Sequence, residues 1–248
     1  MSYGRGYGRR GYGRQRGFGS GLKIRLLIAA VMIGFAVIRY FSMGQVNPIT
    51  GEKQRVAISA AQEVQMGLQA RAQMAEQHGG LKQSQRDQDR VDRIGMELLD
   101  ALTKWLREEG RSNPYEFEFH LLHDPNAINA FALPGGQVFV TDALYSQLST
   151  DGQLAGVIGH EIGHVLSRHG AQRMAKQSLT QGITGAVGVA GGGYDSARMA
   201  KMIGNMINMK YGREDELESD RWGVLLSAEA GYDPSSMFTV MDLSLIHI

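Results

Sequence analysis

His160 and His164 stand four residues apart, and Glu161 sits beside the first of them. On an α-helix that spacing is about one turn, so both imidazoles share a face and the carboxylate reaches the same side. The pattern H-E-x-x-H supplies two zinc ligands and a general base for hydrolysing a peptide bond. A catalytic zinc takes three protein ligands and keeps one position for water, so another segment must give the third. Glu216 and Asp220, in the run Arg213 to Gly223, are spaced i, i+4 on one helical face. Glu216 can ligate the metal, and Asp220 can hydrogen-bond a ligating histidine from behind. Glu214, Asp215 and Glu218 read as an acidic first turn favoured by the helix dipole.

The elements that must hold these residues have local signals. Thr150 is an N-cap, Gln153 completes a capping-box pattern, and Asp151 suits the first turn. Leu154, Val157, Ile158, Ile162, Val165 and Leu166 then recur at helical spacing, which predicts a helix from Asp151 to Arg168 stopped by Gly170. A second helix is predicted from Arg213 to Ala230, ended by Gly231 and Pro234. Upstream, Val56 to Ala75 and Gln83 to Arg107 read as helices, the latter with Val91, Ile94, Leu98, Leu99, Leu102 and Leu106 on one stripe. Tyr115, Phe117, Phe119 and Leu121 alternate with Glu116, Glu118 and His120, as in a half-buried strand. Leu133 to Gly136 reads as a turn, and Gln137 to Thr141 as a strand. A strand just before the zinc helix could be a sheet edge that pairs with an extended substrate; an ordinary packed hairpin fits the same pattern.

The N-terminus has another composition. Met1 to Gly21 is rich in Gly, Arg and Tyr, has no acidic residue and is expected to be disordered. Residues 22–41 read as an uncleaved transmembrane signal anchor, favoured over a cleaved signal peptide because no small-x-small cleavage site follows. Twenty residues make about 30 Å of helix, enough to cross a bilayer when Lys23, Arg25 and Arg39 snorkel. Seven basic residues precede the apolar core, from Arg5 to Arg25, which keeps the tail in the cytoplasm and exports the rest. In a bacterium this is an inner-membrane anchor with the catalytic domain in the periplasm. The Arg-Gly tail could bind nucleic acid or anionic lipid, but a topology-setting tail explains it without a nucleic-acid partner. The net charge of the 248-residue chain is only +1, and there is no cysteine, hence no disulfide.

Residues 47–248 are expected to form one domain, with about 200 residues to build a core. Ser178 to Tyr194 is uncharged and glycine-rich; a second membrane span is conceivable, but glycine content and length favour a packed or mobile helical connector. Met199, Met202, Met206 and Met209 mark an apolar stripe read as core. Asp233-Pro234-Ser235 starts a new helix, and the abrupt close at Ser244 to Ile248 is expected to mark a C-terminal truncation.

Together, His160-Glu161-Ile162-Gly163-His164 and Glu216-x-x-x-Asp220 resemble the membrane-associated zinc metallopeptidases of peptidase family M48. Asn129-Ala130-Phe131-Ala132-Leu133-Pro134-Gly135-Gly136 is similar to the segment before the zinc helix in that family. Asn47-Pro48-Ile49-Thr50-Gly51 is similar to the start of its periplasmic members. Gly212 stands where a serine is common, and the lipid-attachment cysteine of the lipoprotein members is missing. The resemblance covers about Asn47 to Pro234. It implies an α+β, mostly helical gluzincin fold with a small β-sheet, one Zn2+ per chain, and endopeptidase action on protein or peptide substrates, including misfolded envelope proteins. It assigns His160, His164 and Glu216 as ligands, Glu161 as base, Asp220 behind a ligand, and Asn129, Ala130, Phe131 and Ala132 to substrate binding. A non-catalytic zinc-containing chaperone or binding module at the membrane is the alternative. His169, His120, Tyr211 and Arg213 are the candidates for stabilising the oxyanion.

Overall fold

The computed structural model describes residues 18–191 and 211–242. Its first element, α1 (Phe18–Ser42), starts inside the stretch expected to be disordered; residues 1–17 lie outside the described part. Leu22, Leu27, Val31, Phe35 and Ile38 are all more than half exposed. Among the described residues, Gly21–Ser42 is the one segment long and apolar enough to cross a membrane, and almost none of it is buried. A core helix of a water-soluble domain hides its apolar side chains, and this helix does not.

A two-stranded antiparallel ribbon follows, β1 (Gly44–Val46) and β2 (Lys53–Arg55). The helix expected over Val56 to Ala75 starts later: α2 (Ala60–Gln77) is set by a full capping box between Ser59 and Gln62. Then comes α3 (Gln85–Glu108), which buries Val91, Ile94, Leu98, Leu102 and Leu106 as its stripe predicts. The sheet has the order β3 (Glu118–Leu122), β5 (Gln137–Thr141), β4 (Ala130–Leu133). β3 runs parallel to β5, and β4 runs antiparallel to it. The strand nearest the His160–His164 helix in sequence, β5, is therefore the middle strand with all five residues buried, and not an edge. Its continuous apolar run fits burial on both faces. The edge is β4.

A short helix α4 (Asp142–Tyr145) leads to α5 (Asp151–Leu166), which is buried from Gln153 to Leu166. The chain continues as α6 (His169–Gly191), α7 (Arg213–Glu229) and α8 (Ser236–Asp242). The core gathers around α5, which is covered by α7, α8, α3 and β4. Glycines let α7 come close. A Cβ on Gly163 would sit 2.9 Å from the Ser219 Cα, and one on Gly159 would sit 3.0 Å from the Gly223 Cα. Met199 to Met209 and Ser244 to Ile248 fall outside the described residues.

The helix α5 does not end through Gly170. Its last turn is closed by side chains from the N-terminal ribbon. Asn47 Nδ2 donates to the Leu166 carbonyl at 2.8 Å, and Gln54 Nε2 donates to the Ser167 carbonyl at 3.0 Å. Arg168 then adopts a left-handed backbone (φ 57°), uncommon for a non-glycine residue. Its buried guanidinium donates to Glu63 Oε2 at 2.9 Å and to the Ile58 carbonyl at 2.7 Å. These contacts fix the turn, so α6 begins at His169 and Gly170 lies inside it.

Candidate metal centre

α5 presents His160 and His164 on one face, with their Nε2 atoms 3.0 Å apart. α7 brings Glu216 Oε2 to 3.3 Å from His160 Nε2 and 3.9 Å from His164 Nε2. The three side chains offer ligand atoms that all lie within 4.8 Å of one another. A tetrahedral zinc with bonds of about 2.0–2.1 Å keeps its ligand atoms about 3.3 Å apart, so this set fits such an ion. Two further observations agree. Glu216 Oε1 is buried and has no hydrogen-bond partner among the described residues. Burial alone would lower the His160 pKa, yet hydrogen bonds to Asp220 and Glu216 and the charge of Glu161 push it up to about 10. The cavity thus attracts positive charge, which a divalent cation supplies in place of a proton.

Each imidazole is held from behind. His160 Nδ1 lies 2.8 Å from Asp220 Oδ1, the partner expected from the i, i+4 spacing. His164 Nδ1 lies 2.9 Å from His169 Nδ1, and His169 Nε2 lies 3.3 Å from Glu218 Oε2. The other Glu218 oxygen accepts a hydrogen bond from the Ser167 hydroxyl. Burial would raise the Glu218 pKa, but these two hydrogen bonds outweigh it and lower it. Glu218 is therefore more than a first-turn charge, and His169 stands behind His164 rather than in a position to meet an oxyanion. Neither role has a local signal, because both depend on where α7 crosses the end of α5.

The other oxyanion candidates separate clearly. His120 lies on β3, 2.9 Å from Gln137 Oε1 and packed on the Phe139 ring. Arg213 is exposed at the start of α7. Tyr211 stacks on His164, with ring centroids 4.1 Å apart, and Arg173 lies 5.4 Å from the Tyr211 ring. Glu161 is buried on α5, and its charge raises the pKa of both His160 and Tyr211.

The four residues expected to bind substrate lie at and just before β4. Asn129 is tied to Thr141 through its N–H and carbonyl, at 3.0 and 2.9 Å. Ala130 is fully buried, and Phe131 stacks on Phe139 at 4.9 Å. A small cavity joins this strand to the centre: Ala132 and Leu133 line it together with His164 and Tyr211.

A buried helix with His160, Glu161 and His164, completed by a glutamate from a second helix, defines a metallopeptidase-type domain. Residues 85–246 match Peptidase family M48, and the chain belongs to that family. It is 29% identical over 228 residues to the beta-barrel assembly-enhancing protease of Escherichia coli K12, covering 88% of this chain and 45% of that protein. It is 34% identical over 157 residues to a putative beta-barrel assembly-enhancing protease of Vibrio cholerae, 59% of this chain and 32% of that one. It is 31% identical over 129 residues to the mitochondrial metalloendopeptidase OMA1 of Schizosaccharomyces pombe, 51% and 37% of the two chains. The chain thus spans less than half the length of these relatives.

Proposed function

We propose that this protein is a membrane-anchored zinc-dependent endopeptidase that cleaves envelope proteins as part of their quality control. The observation that carries the reading is the convergence of His160, His164 and Glu216 ligand atoms beside Glu161. Zinc, when bound, supplies Lewis acidity toward water and the scissile carbonyl. Glu161 takes a proton from the attacking water and later delivers one to the leaving amine nitrogen. Asp220 and His169 keep the two imidazoles oriented. A substrate strand lies along β4, where half of the backbone groups point away from β5 and are free to pair. The names of the bacterial relatives support an envelope substrate, and the exposed apolar α1 supports an inner-membrane anchor with the domain in the periplasm.

The test compares the 248-residue protein with its Glu161→Gln variant for zinc content and for cleavage of unfolded casein. About one zinc per chain, with chelator-sensitive cleavage lost in the variant by a factor of about 100 or more, is the expected outcome. Bound zinc with no cleavage by either protein would favour a zinc-containing chaperone module. Absence of zinc would overturn the ligand assignment.

A further inference from the structure

The connector between the two metal-binding helices is not packed on the catalytic core alone. The distal half of α6 lies against α1, and the two run antiparallel. A Cβ on Gly182 would fall 2.6 Å from Ala36 Cβ, and Gly185 faces Met32. Met32, Phe35, Ala36, Leu179 and Gly182 line a shared apolar groove together with Arg39 and Tyr40. We infer that α6 from Ser178 to Ala186 is immersed in the hydrocarbon of the bilayer beside α1, as a second membrane-inserted segment built into the peptidase domain. This rests on the reading that α1 spans the membrane.

Three independent features agree. The first is position: Met32 lies midway along the membrane-spanning stretch Gly21–Ser42 and Ala36 one turn nearer its C-terminal end, so a helix packed on them shares their depth. The second is charge. Arg39 marks the interfacial level on α1, and on α6 the last charged residue is Lys176, with none from Gln177 to Tyr194. The charge-free run therefore starts where the packing places the boundary. The third is hydrogen bonding. A polar side chain in hydrocarbon must find a partner within the protein. The hydroxyls of Ser178, Thr180 and Thr184 each donate to the carbonyl four residues earlier, at 3.0, 3.0 and 2.9 Å. Gln181 is level with Ala36, about 4.5 Å along the helix from Arg39, within reach of the headgroups for a side chain that bends toward them. Small residues at the contact let the two backbones approach closely, the packing that membrane helices use in place of a hydrophobic drive.

The chain has no cysteine, so single cysteines can carry an environment-sensitive nitrobenzoxadiazole probe. The 248-residue Lys176→Cys, Thr184→Cys and Val31→Cys proteins would be reconstituted in phosphatidylethanolamine–phosphatidylglycerol vesicles. Quenching would be read with doxyl groups on the lipid acyl chains and, separately, with aqueous iodide. The expected result is that Thr184 behaves like Val31, quenched through the lipid and shielded from iodide, while Lys176 is quenched by iodide. Iodide quenching at Thr184, or quenching by neither agent, with Val31 still quenched through lipid, would overturn the immersion and leave the anchor standing. Iodide quenching at Val31 would overturn both.

Discussion

Asp220 holds His160 from behind through a 2.8 Å hydrogen bond, so its loss should appear in metal affinity. Asp220→Asn is expected to weaken zinc binding 10- to 100-fold, measured by competition with a chromophoric chelator, with little change in the unfolding of the metal-free protein. Arg168 and Glu63 make the reverse case, where the effect is on stability. Arg168→Met leaves Glu63, 2% exposed, buried without its counter-charge, at a cost of about 3–5 kcal/mol in urea unfolding. Burial already holds the Glu63 pKa above 4.5, with Arg168 opposing that shift. In the variant the folded state therefore keeps a proton that the unfolded state releases, and stability should fall as pH rises above 4.5. His160, Glu161, His164, Glu216 and Asp220 were legible in the sequence because each helical spacing is itself a geometric statement. His169, Glu218 and Tyr211 were not, since their partners depend on how separate segments meet near the end of α5.

Between elements, the metal centre depends on how closely α7 lies on α5. Gly163→Ala would place a methyl 2.9 Å from the Ser219 Cα and carbonyl oxygen and from Trp222 Cβ. Backbone cannot yield there as a flexible side chain can, so α7 must move and carry Glu216 with it. The expected outcome is a loss of about 1–3 kcal/mol in stability, together with weaker zinc binding in the same titration. Both metal-binding helices could be read from caps and periodicity, α7 to within a residue of its end. The sheet was harder: β5 looked like an edge because local pattern carries no record of which strands flank it, and β3 pairs with it from a distance in sequence. The ribbon β1–β2 left almost no trace, since its role is to cap α5 through Asn47 and Gln54, whose partners are more than a hundred residues away. The stop expected at Gly170 failed for the same reason, because a buried ion pair holds the left-handed turn at Arg168 instead.

At the level of the whole molecule, the proposed metal joins two helices that are far apart in the chain, so binding and folding should be linked. At a free zinc concentration of about 100 times Kd the folded state gains about 2.7 kcal/mol. For a domain of this size each kcal/mol is about 2–4 °C in Tm. Calorimetry with and without chelator should show this shift in the wild-type protein, and His160→Ala should remove it. The class of the fold and the apolar N-terminal helix were legible from composition and motif, whereas the packing of α6 on α1 was not, because its glycine content and length favour a packed or mobile connector and local pattern does not name the helix it packs on. One last consequence comes from the ribbon. Only five Cα-to-Cα steps lead from Ser42, at the end of α1, to Asn47, which grips the last turn of the histidine helix. Fully stretched, they reach about 17 Å. With α1 held in a bilayer as proposed, the metal centre would be on a short leash, kept to the layer of water next to the headgroups, and a polypeptide would come within range only where an unfolded stretch of it sags down to the membrane.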